Sequence, residues 1–394
     1  MPTWSYWHRT LASLPDLETD FALVGGGIAG LATAYWLRKS HPKARILVID
    51  AHQIAAGASG RNAGFLLQGT SCDYATECAT IHRDKAKRLW QFTKDNLEWC
   101  LAYLDGNQFE LRQNGSYVAA GDDREAFALV RSTALLVEDG FKAVWHPPQE
   151  ANARMGSHDL KGALFFPDHA TVHSAKLLNH IFTQANAEYL PDTPILALEP
   201  TSDGVMLTGR NRRIKAQRVL LAMNAYLPEL LPETQPWIRP VRAQMLATQP
   251  IPHTRIPAPV YSHEGFFYVR QETDGRILLG GARHLHEAAE VGYEDIVTPM
   301  LQEDLETYLR QYFTQDRPYQ VWARWSGTMG FSPDHLPCIG TWSASPHVWW
   351  VGGFSGHGMG FGFRMGKLLA DALSDGQAED LDLFDVKRFG ANIA

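Results

Sequence analysis

The sequence predicts a protein of two domains in which an α/β unit is combined with α+β segments. Its 394 residues exceed the size of one ordinary domain, so we expect two domains, either in tandem or interleaved. A strand-helix-strand pattern lies between residues 21 and 50, and a strand-turn-helix pattern lies between residues 347 and 373. The segments between these units mix strands and helices, and no internal repeat indicates a solenoid or a propeller.

The composition is that of an ordinary globular protein. Hydrophobic residues make up 45% and charged residues 20% of the chain, which excludes disordered, collagen-like and coiled-coil proteins. The formal net charge of −7 argues against nucleic acid as a partner, because binding nucleic acid needs a basic surface. The 4 cysteines show no CxxC spacing, so we expect neither a zinc site nor a disulfide framework, and a reducing compartment.

Targeting signals are absent from the sequence pattern. Residues 1–8 lack the basic and then apolar order of a signal peptide. Residues 21–37 are uncharged, but this segment only reaches the lower length limit of a membrane span and contains four glycines. A buried strand, turn and helix explain the segment better. We therefore expect no integral membrane segment and a cytoplasmic location.

In the first half of the chain, short apolar runs alternate with segments of helical spacing. Residues 21–24 and 45–49 are predicted as buried strands around a helix at 28–39. Asp122 is placed to cap a helix that runs to about residue 138. The other elements predicted here are strands at 115–120 and 162–166 and helices at 84–104 and 173–187.

Turn signals separate shorter strands in the second half. Residues 228–259 hold eight prolines and are expected to form irregular crossings and edge strands. Thr298 and Pro299 are expected to start a helix that runs to residue 313. The other elements predicted here are strands at 205–208 and 214–223, a hairpin of 266–270 and 276–281 around Asp274-Gly275, a buried strand at 347–351, and a helix from the glycine-rich 352–360 to about residue 373.

The strongest motif is Gly25-x-Gly27-x-x-Gly30, with Asp50 twenty residues further along. Glycines at this spacing allow a tight turn, a close approach of backbone to a pyrophosphate, and close packing of helix on strand. The helix start supplies N–H groups for phosphates, and an acid at the end of the second strand can accept ribose hydroxyls. The motif predicts a dinucleotide site, with a closely packed structural turn as the alternative. It does not by itself distinguish NAD from FAD.

Two further segments favour FAD over NAD. The segments GASGRNAGF at residues 57–65 and GGFSGHGMG at residues 352–360 together resemble the D-amino-acid-oxidase-like family of FAD enzymes. That family includes glycine oxidase, sarcosine oxidase and γ-glutamylputrescine oxidase. The resemblance extends from about residue 20 to residue 375. Further family-like segments lie at 166–168, 219–226, 276–281 and 333–340.

The resemblance implies a Rossmann-like, three-layer FAD-binding domain and an interleaved substrate domain built on a mixed sheet. The FAD-binding domain is expected from segments 1–83, 147–226 and 325–394, and the substrate domain from segments 84–146 and 227–324. The FAD is expected to be non-covalent, because the cysteine that attaches the flavin in sarcosine oxidase is missing from the aligned region around Ser326.

The resemblance also implies the site residues. Those expected around the adenosine diphosphate half of FAD are Gly25, Gly27, Ile28, Ala29, Gly30, Asp50 and Ala51. Those expected around the flavin and its ribityl-phosphate chain are Ser59, Arg61, Asn62, Ala63, Gly64, Phe65, Ala222, Asn224, Gly353, Gly356, His357, Gly358 and Met359. The candidate catalytic or substrate-contacting residues are Tyr268, Arg270 and His357.

Two departures from the family bear on the chemistry. Amino-acid oxidases of the family commonly place an Arg for the substrate carboxylate five residues before Asp334, where this sequence has Met329. A thioether cannot replace a guanidinium fork. The segment WSGTMG at residues 325–330 more closely resembles the γ-glutamylputrescine-oxidase branch of the family, which acts on amines. The lysine that sarcosine oxidase uses to activate O2 is replaced by an apolar residue near Leu278. Arginines that could bind a carboxylate from another direction, or form ordinary ion pairs, are Arg242, Arg270, Arg283 and Arg324.

We expect an FAD-dependent amine or amino-acid oxidase. The C–N bond would be oxidised by hydride transfer to flavin N5, the imine would be hydrolysed, and O2 would take the electrons and give H2O2. The expected partners are a small amine or amino acid and O2 or another acceptor. One alternative is a dehydrogenase that passes electrons to a quinone or carrier, and another is a non-catalytic or tailoring FAD protein. We nominate no general base and expect no metal, since His284, His286 and Glu287 form a chance cluster among 16 histidines.

Overall fold

The computed structural model describes residues 14–252, 254–315 and 317–390. Within these residues, the strands form two eight-stranded sheets and one two-stranded sheet, which confirms the predicted combination of α/β and α+β architecture. The sequence features of residues 1–8 lie outside the described residues. In the part of the chain that is described, no helix is both long enough and apolar enough to cross a membrane.

Strands and helices are distributed along the whole described chain. The strands are β1 (Leu17–Val24), β2 (Ile46–Ile49), β3 (Phe65–Leu66), β4 (Ser116–Ala119), β5 (Val144–His146), β6 (Ala163–Phe166), β7 (Ala170–Thr171), β8 (Glu188–Leu190), β9 (Ile195–Thr201), β10 (Gly204–Gly209), β11 (Arg213–Leu221), β12 (Arg239–Thr248), β13 (Val260–Ser262), β14 (Phe267–Gln271), β15 (Ile277–Gly281), β16 (Val321–Phe331), β17 (Cys338–Trp342) and β18 (Ser345–Gly352). The α-helices of eight or more residues are α1 (Ile28–Ser40), α2 (Tyr74–Ile81), α3 (Arg83–Tyr103), α4 (Asp123–Glu138), α5 (Pro148–Met155), α6 (Ser174–Ala185), α7 (Pro299–Leu309) and α8 (Gly358–Asp375).

The first sheet has a parallel centre. Strands β18, β11, β1, β2 and β8 lie side by side and run parallel, while β17 and β10 pair antiparallel at its margins. Leu23 and Val48 face a core that also contains residues of α1, α3, α6 and α8. Val24 and Ile49 face the opposite way and pack with residues of β9, β10 and β11. Burial on both faces explains why these strands are continuously apolar, and it produces the predicted three layers.

The second sheet is mixed and has the order β16-β12-β15-β14-β13-β4-β6-β5. Strand β13 pairs parallel with β4, and the other neighbours are antiparallel. One face of the sheet packs on α7 through Leu246, Val269 and Leu279. The opposite face carries Tyr268 and Leu278, which pack with residues of segment 57–67. This face of the second sheet therefore packs on the segment that follows β2 of the first sheet.

Helices α1 and α8 pack unusually closely. A Cβ atom at Gly362 would lie 2.4 Å from Ile28, and one at Gly366 would lie 2.4 Å from the Cβ of Ala32. Both distances are shorter than any real contact, so the two helices can approach this far only with glycine at both positions. The predicted last helix is thereby held against the predicted first one.

The expectation of edge strands within 228–259 is wrong. Strand β12 is an interior strand that pairs with both β15 and β16. Its internal proline, Pro240, pairs with Gly330 of β16, whereas the pairing with β15 begins only at Gln244. A proline lacks an N–H group, and it is tolerated here because the β12 segment around it has a single strand neighbour.

The predicted domain boundaries differ from the sheet membership at three places. Strand β6 belongs to the second sheet although it lies in the predicted FAD-binding segment 147–226. Strand β16 stays in the second sheet to Phe331, beyond the boundary placed at residue 324. Helix α3 lies in the predicted substrate segment 84–146 but packs in the core of the first sheet. Strand and helix partners decide these assignments, and they are not visible in local sequence.

Candidate functional site

The parallel strands of the first sheet end together and bring the predicted glycine motif to one edge. Val24 pairs with both Ile49 and Leu221, so the residues that follow these three strands are neighbours. Gly25 has a φ of 122°, which disfavours other residues. A Cβ atom there would lie 2.4 Å from the carbonyl oxygen of Ala222.

Gly27 and Gly30 occupy the start of α1. A Cβ atom at Gly30 would lie 2.0 Å from the carbonyl oxygen of Gly25, so any side chain would push the helix away from the strand. Gly27 is the N-cap residue, and Ile28 and Ala29 begin the helix with buried side chains. The first turn of α1 therefore presents backbone N–H groups at the sheet edge, as binding of a pyrophosphate requires.

Asp50 is held in a fixed orientation at the end of β2. Its Oδ2 accepts a hydrogen bond from the Gly26 N–H at 2.6 Å, and its Oδ1 accepts one from the His52 N–H at 2.7 Å. Each carboxylate oxygen can accept more than one hydrogen bond, so both retain capacity for ribose hydroxyls. Ala51 follows as an exposed residue.

The segment 57–65 lies across the start of α1. Ser59 Oγ accepts a hydrogen bond from the Ile28 N–H at 3.0 Å. Asn62 Oδ1 accepts from the Gly64 N–H and from the Ser174 hydroxyl, both at 2.7 Å. Its side-chain amide donates to backbone carbonyls of the same segment. Asn62 thus shapes the loop.

Arg61 links this segment to the second sheet. Its guanidinium donates to the Asp295 carboxylate at 2.6 Å and to the Ser326 carbonyl at 2.9 Å. The indole of Trp325 returns a hydrogen bond to the Arg61 carbonyl at 2.8 Å. Arg61 therefore ties segment 57–65 to strand β16 of the second sheet.

The glycine-rich segment after β18 forms the other side of the candidate site. Gly353 has a φ of 69°, and its N–H donates to Asn224 Oδ1 at 3.1 Å. Gly356 has a φ of 87°, and a Cβ atom there would lie 3.5 Å from Met329 Sδ. Gly358 opens α8, and the nearest atom to a Cβ there is 3.7 Å away. Met359 is buried in the first turn of that helix.

These residues fit FAD. Two helix starts, those of α1 and α8, follow parallel strands of the same sheet, and the intervening loops leave space. A Cβ atom at Gly57 would have no atom within 4 Å, so the start of this loop faces an unfilled region. Backbone N–H groups, a ribose-binding carboxylate and open space are the requirements of an extended dinucleotide.

Aromatic side chains from the second sheet and from the two glycine-rich segments lie together in what we call the aromatic wall: Tyr261, Tyr268 and Trp325 of the second sheet, Phe65 of segment 57–65 and His357 of segment 352–360. Phe65 and Tyr261 lie edge to face with ring centroids 5.0 Å apart, and the rings of Tyr261 and Tyr268 are 5.9 Å apart. The His357 ring stacks on Tyr261 at 6.3 Å. Two of the three predicted catalytic residues, Tyr268 and His357, therefore lie in one wall.

Burial makes the aromatic wall uncharged. It raises the pKa of Tyr268 to about 12, although the nearby Arg283 charge opposes this, and it raises the pKa of Tyr261 as well. It also lowers the pKa of His357 below its usual value, so the imidazole is neutral at physiological pH. The wall therefore offers a substrate amine no counter-ion, and its aromatic faces can lie against either the neutral amine or its cation.

Arg270, a candidate substrate contact that could also form an ordinary ion pair, is occupied by contacts within the protein. It donates to the carbonyls of Ala63, Gly64 and Val172 at 3.0, 3.1 and 2.9 Å, and it pairs with Glu272. Its side chain is buried. These contacts assign Arg270 a role in holding segment 57–65 on the second sheet, and we do not retain it as a substrate contact.

The other arginines considered for a carboxylate differ in their partners. Arg242 forms a buried ion pair with Glu290 at 2.9 Å, and Arg324 pairs with Glu306 at 2.6 Å. Arg283 forms no hydrogen bond or ion pair with any residue in the described ranges, and it contacts two aromatic rings. Sequence alone could not separate these cases, because it does not show which arginines have acidic neighbours.

Residues that sequence reasoning missed lie on the second sheet. Tyr261 and Met245 belong to the cluster around Phe65 and Tyr268. The signal for Tyr261 was its position in a short apolar run after Pro259. Among the described residues, no group of three or more His, Cys, Asp or Glu side chains could hold a metal ion.

Comparison with known proteins agrees with this arrangement. Residues 20–372 match the family described as DAO: FAD dependent oxidoreductase. The chain is 24% identical to the probable oxidoreductase OrdL of Rhizobium meliloti over 97% of this chain and 90% of that protein. It is 26% identical to the gamma-glutamylputrescine oxidoreductase of Escherichia coli over 94% of this chain and 86% of that protein.

A solved structure shows the same fold. The L-proline dehydrogenase of P. horikoshii superimposes with a TM-score of 0.82 at 21% identity, covering 95% of this chain and 98% of that chain. The family match spans both glycine-rich segments and the intervening second sheet. The protein is therefore a member of the DAO family of FAD-dependent oxidoreductases.

Proposed function

We propose that the protein oxidises the C–N bond of a small amine or amino acid and passes the electrons to O2, giving H2O2. The observation that carries this proposal is the aromatic wall beside the glycine-rich loops, in which Tyr261 contacts both Tyr268 and His357. This wall offers a substrate amine no counter-ion, and C–N oxidation requires the unprotonated amine, which has the electron pair. The similarity to gamma-glutamylputrescine oxidoreductase, whose name specifies an amine, supports the same class.

The chain's own residues would position the reactants. The start of α1 and the carboxylate of Asp50 would hold the adenosine diphosphate half of FAD, and segment 57–65 and the start of α8 would hold the flavin half. When bound, FAD accepts a hydride from the carbon that bears the nitrogen. Phe65, Tyr261 and Tyr268 would orient that carbon and exclude water. No side chain is required as a general base if the amine binds already deprotonated.

A flavin dehydrogenase is the second candidate. Leu278 packs in the same cluster as Phe65 and Met245, so an apolar side chain lies on the face where a lysine that activates O2 was expected. This observation favours a quinone or a protein carrier as the electron acceptor. The two functions share the reductive step and differ only in the acceptor.

The decisive experiment is an anaerobic screen of the holoenzyme. Monoamines, diamines, N-methyl amino acids and both enantiomers of amino acids are mixed with the protein, and loss of flavin absorbance is recorded. We expect at least one amine to bleach the flavin, with a rate that rises with pH as more of the amine is deprotonated. If sulfite or dithionite bleaches the flavin but none of these compounds does, the proposal fails and a non-catalytic FAD protein is favoured.

Reoxidation then separates the two candidates. The substrate-reduced enzyme is mixed with air-saturated buffer or with an anaerobic solution of a short-chain quinone. Rapid reoxidation in air with stoichiometric H2O2 supports the oxidase. Slow reoxidation in air and rapid reoxidation by the quinone would contradict it and support the dehydrogenase.

A further inference from the structure

Arg283 is a partly buried cation with unused donors. Its guanidinium lies 4.4 Å from the ring centroid of Phe331 and 5.2 Å from that of Phe266. Among the described residues it has no hydrogen-bond or ion-pair partner, whereas Arg242, Arg270 and Arg324 are each paired with a glutamate. Aromatic faces stabilise a cation but leave the in-plane N–H donors of the guanidinium free.

The position of Arg283 connects an open cleft with the aromatic wall. It follows β15 and lines a cleft of about 770 Å³, together with Val241, Tyr293, Phe331 and His335. Its charge also acts on both Tyr268 and His357: it opposes the rise in the pKa of the phenol and adds to the lowering of the imidazole pKa by burial. The wall and the cleft lie along one face of strand β16, which carries Trp325 in the wall and Phe331 in the cleft.

The acidic groups around Arg283 do not neutralise it. Glu287 lines the cleft and raises the pKa of Arg283, but it is exposed and forms no ion pair with it. Glu290 also lines the cleft, and its carboxylate is already paired with Arg242. Burial lowers the pKa of Arg283 against the opposing effects of Tyr268 and Glu287, and among the described residues no carboxylate is close enough to be its counter-ion. An anionic ligand would supply that counter-ion.

Strand β16 shows how far this cation lies from the expected carboxylate site. Alternate residues of the strand, Trp325, Gly327, Met329 and Phe331, share one face, because side chains in a strand repeat every second residue. Met329 lies beside Gly356, while Phe331 lies under Arg283. Two residues of strand correspond to roughly 7 Å. The anion site is therefore displaced along β16 from the position of Met329.

We propose that Arg283 binds an anionic group, most simply a carboxylate, that the substrate carries several bonds away from the carbon that is oxidised. This inference rests on the proposed function and narrows its substrate class to amines with a remote carboxylate. The site selects against simple α-amino acids because Met329 offers no charge next to the reacting carbon. It selects for longer molecules that reach from the aromatic wall to the cleft.

Binding of non-oxidisable ligands tests the assignment of Arg283 without any turnover. Pentanoate and its neutral counterpart pentanamide are titrated into the oxidised holoenzyme, and the dissociation constant is taken from the change in flavin absorbance. A charged hydrogen-bonded contact predicts that pentanoate binds roughly 10- to 100-fold more tightly than pentanamide. In Arg283→Gln this ratio should fall to about one, and in Arg283→Lys part of it should remain.

A matched variant controls for general loss of charge. Arg276 also lies over an aromatic ring, 4.6 Å from Trp322, but it is paired with Asp274 and does not line the cleft. Arg276→Gln should leave the ratio unchanged. Equal affinity for pentanoate and pentanamide in the wild type, or an unchanged ratio in Arg283→Gln, overturns the proposal. If Arg283→Gln does not retain FAD, the ratio of the pentanoate and pentanamide affinities in the wild type and in Arg283→Lys still tests the proposal.

The distance between the amine and the carboxylate of the substrate is tested by anaerobic reduction of the flavin. We expect 5-aminopentanoate to reduce the flavin faster at low concentration than either pentylamine or 2-aminopentanoate, and Arg283→Gln to raise its apparent dissociation constant without a comparable loss of limiting rate. Faster reduction by 2-aminopentanoate overturns the remote placement. If no amine reduces the flavin but pentanoate binding depends on Arg283, the proposed function fails while the anion site stands.

Discussion

Gly358 is the residue at which the placement of the flavin can be tested with least disturbance of the fold. A Cβ atom there meets nothing closer than 3.7 Å, and an acid in the first turn of a helix favours the helix. We predict that Gly358→Asp folds but has a lower flavin potential, weaker sulfite binding and slower reduction by substrate, because its charge repels negative charge on the reduced flavin. Redox titration and sulfite titration measure these effects.

Gly358→Asn is the matched control, because it has nearly the same shape and no charge. It should differ from the wild type much less than the aspartate variant does. If both variants keep wild-type FAD content, sulfite affinity and reduction rate, the start of α8 does not face the flavin.

Glu77 is expected to make stability depend on pH. Burial raises its pKa to about 7, although hydrogen bonds from Thr70 and Trp90 oppose the shift. A raised pKa means that folding favours the protonated carboxyl, so its contribution is complete below about pH 4.5 and is lost as pH rises through about 7. We predict that Glu77→Gln is more stable than the wild type at pH 8, by on the order of 3 kcal/mol, and similar to it near pH 4.5.

Thermal unfolding of both proteins at the two pH values checks this prediction. A constant difference in Tm across the range would show that Glu77 does not titrate in the folded protein between these pH values.

At the scale of elements, the contact between α1 and α8 depends on the absence of side chains. A Cβ atom at Gly366 would lie 2.4 Å from the Cβ of Ala32 and 2.5 Å from its carbonyl carbon. Backbone cannot move aside as a flexible side chain can. We therefore predict that Gly366→Ala lowers the free energy of unfolding by about 1–3 kcal/mol or prevents folding, although alanine is the better helix former.

Lys367→Ala is the control on the same helix. Lys367 is half-exposed and pairs only with Asp371 one turn later, so its removal should change stability by less than about 0.5 kcal/mol. Chemical denaturation of the two variants gives the comparison, and equal stability of Gly366→Ala and the wild type would contradict the packing argument.

At the scale of the whole molecule, the cofactor site depends on the junction of the two sheets. Segment 57–65 packs at the start of α1 and is tied to the second sheet through Arg61, Arg270 and Trp325. The candidate site is complete only when both domains are folded and docked. Separate expression of either sheet would therefore not reproduce it.

The residue at position 326 also predicts that FAD is bound non-covalently. The Ser326 hydroxyl, in the region where sarcosine oxidase has its attachment cysteine, donates to Asp295 at 2.7 Å. Acid precipitation should leave the yellow colour in the supernatant, where chromatography should identify FAD. Flavin absorbance that stays with the precipitate would refute non-covalent binding.

Prediction from sequence succeeded where local pattern and chemistry coincide. The glycine spacing of Gly25, Gly27 and Gly30 predicted the turn, and Asp122 predicted a cap, which accepts from the Glu125 N–H at 2.8 Å. Thr298 is the N-cap residue of α7 and Pro299 begins the helix, as predicted, but the Thr298 hydroxyl makes no capping hydrogen bond and accepts one from Gln244 instead. A distant side chain competes there with the local backbone.

The sequence by itself determined the strand-turn-helix units and the family, because close backbone approaches require glycine at particular positions and apolar runs mark buried strands. The tertiary structure decided which charged residues are available for chemistry. The sequence does not distinguish Arg270 from Arg283. In the structure, Arg270 donates to three backbone carbonyls and pairs with Glu272, whereas Arg283 contacts two aromatic rings that leave its N–H donors free. Whether a cation is neutralised depends on groups that are far away in sequence, and only folding brings those groups together.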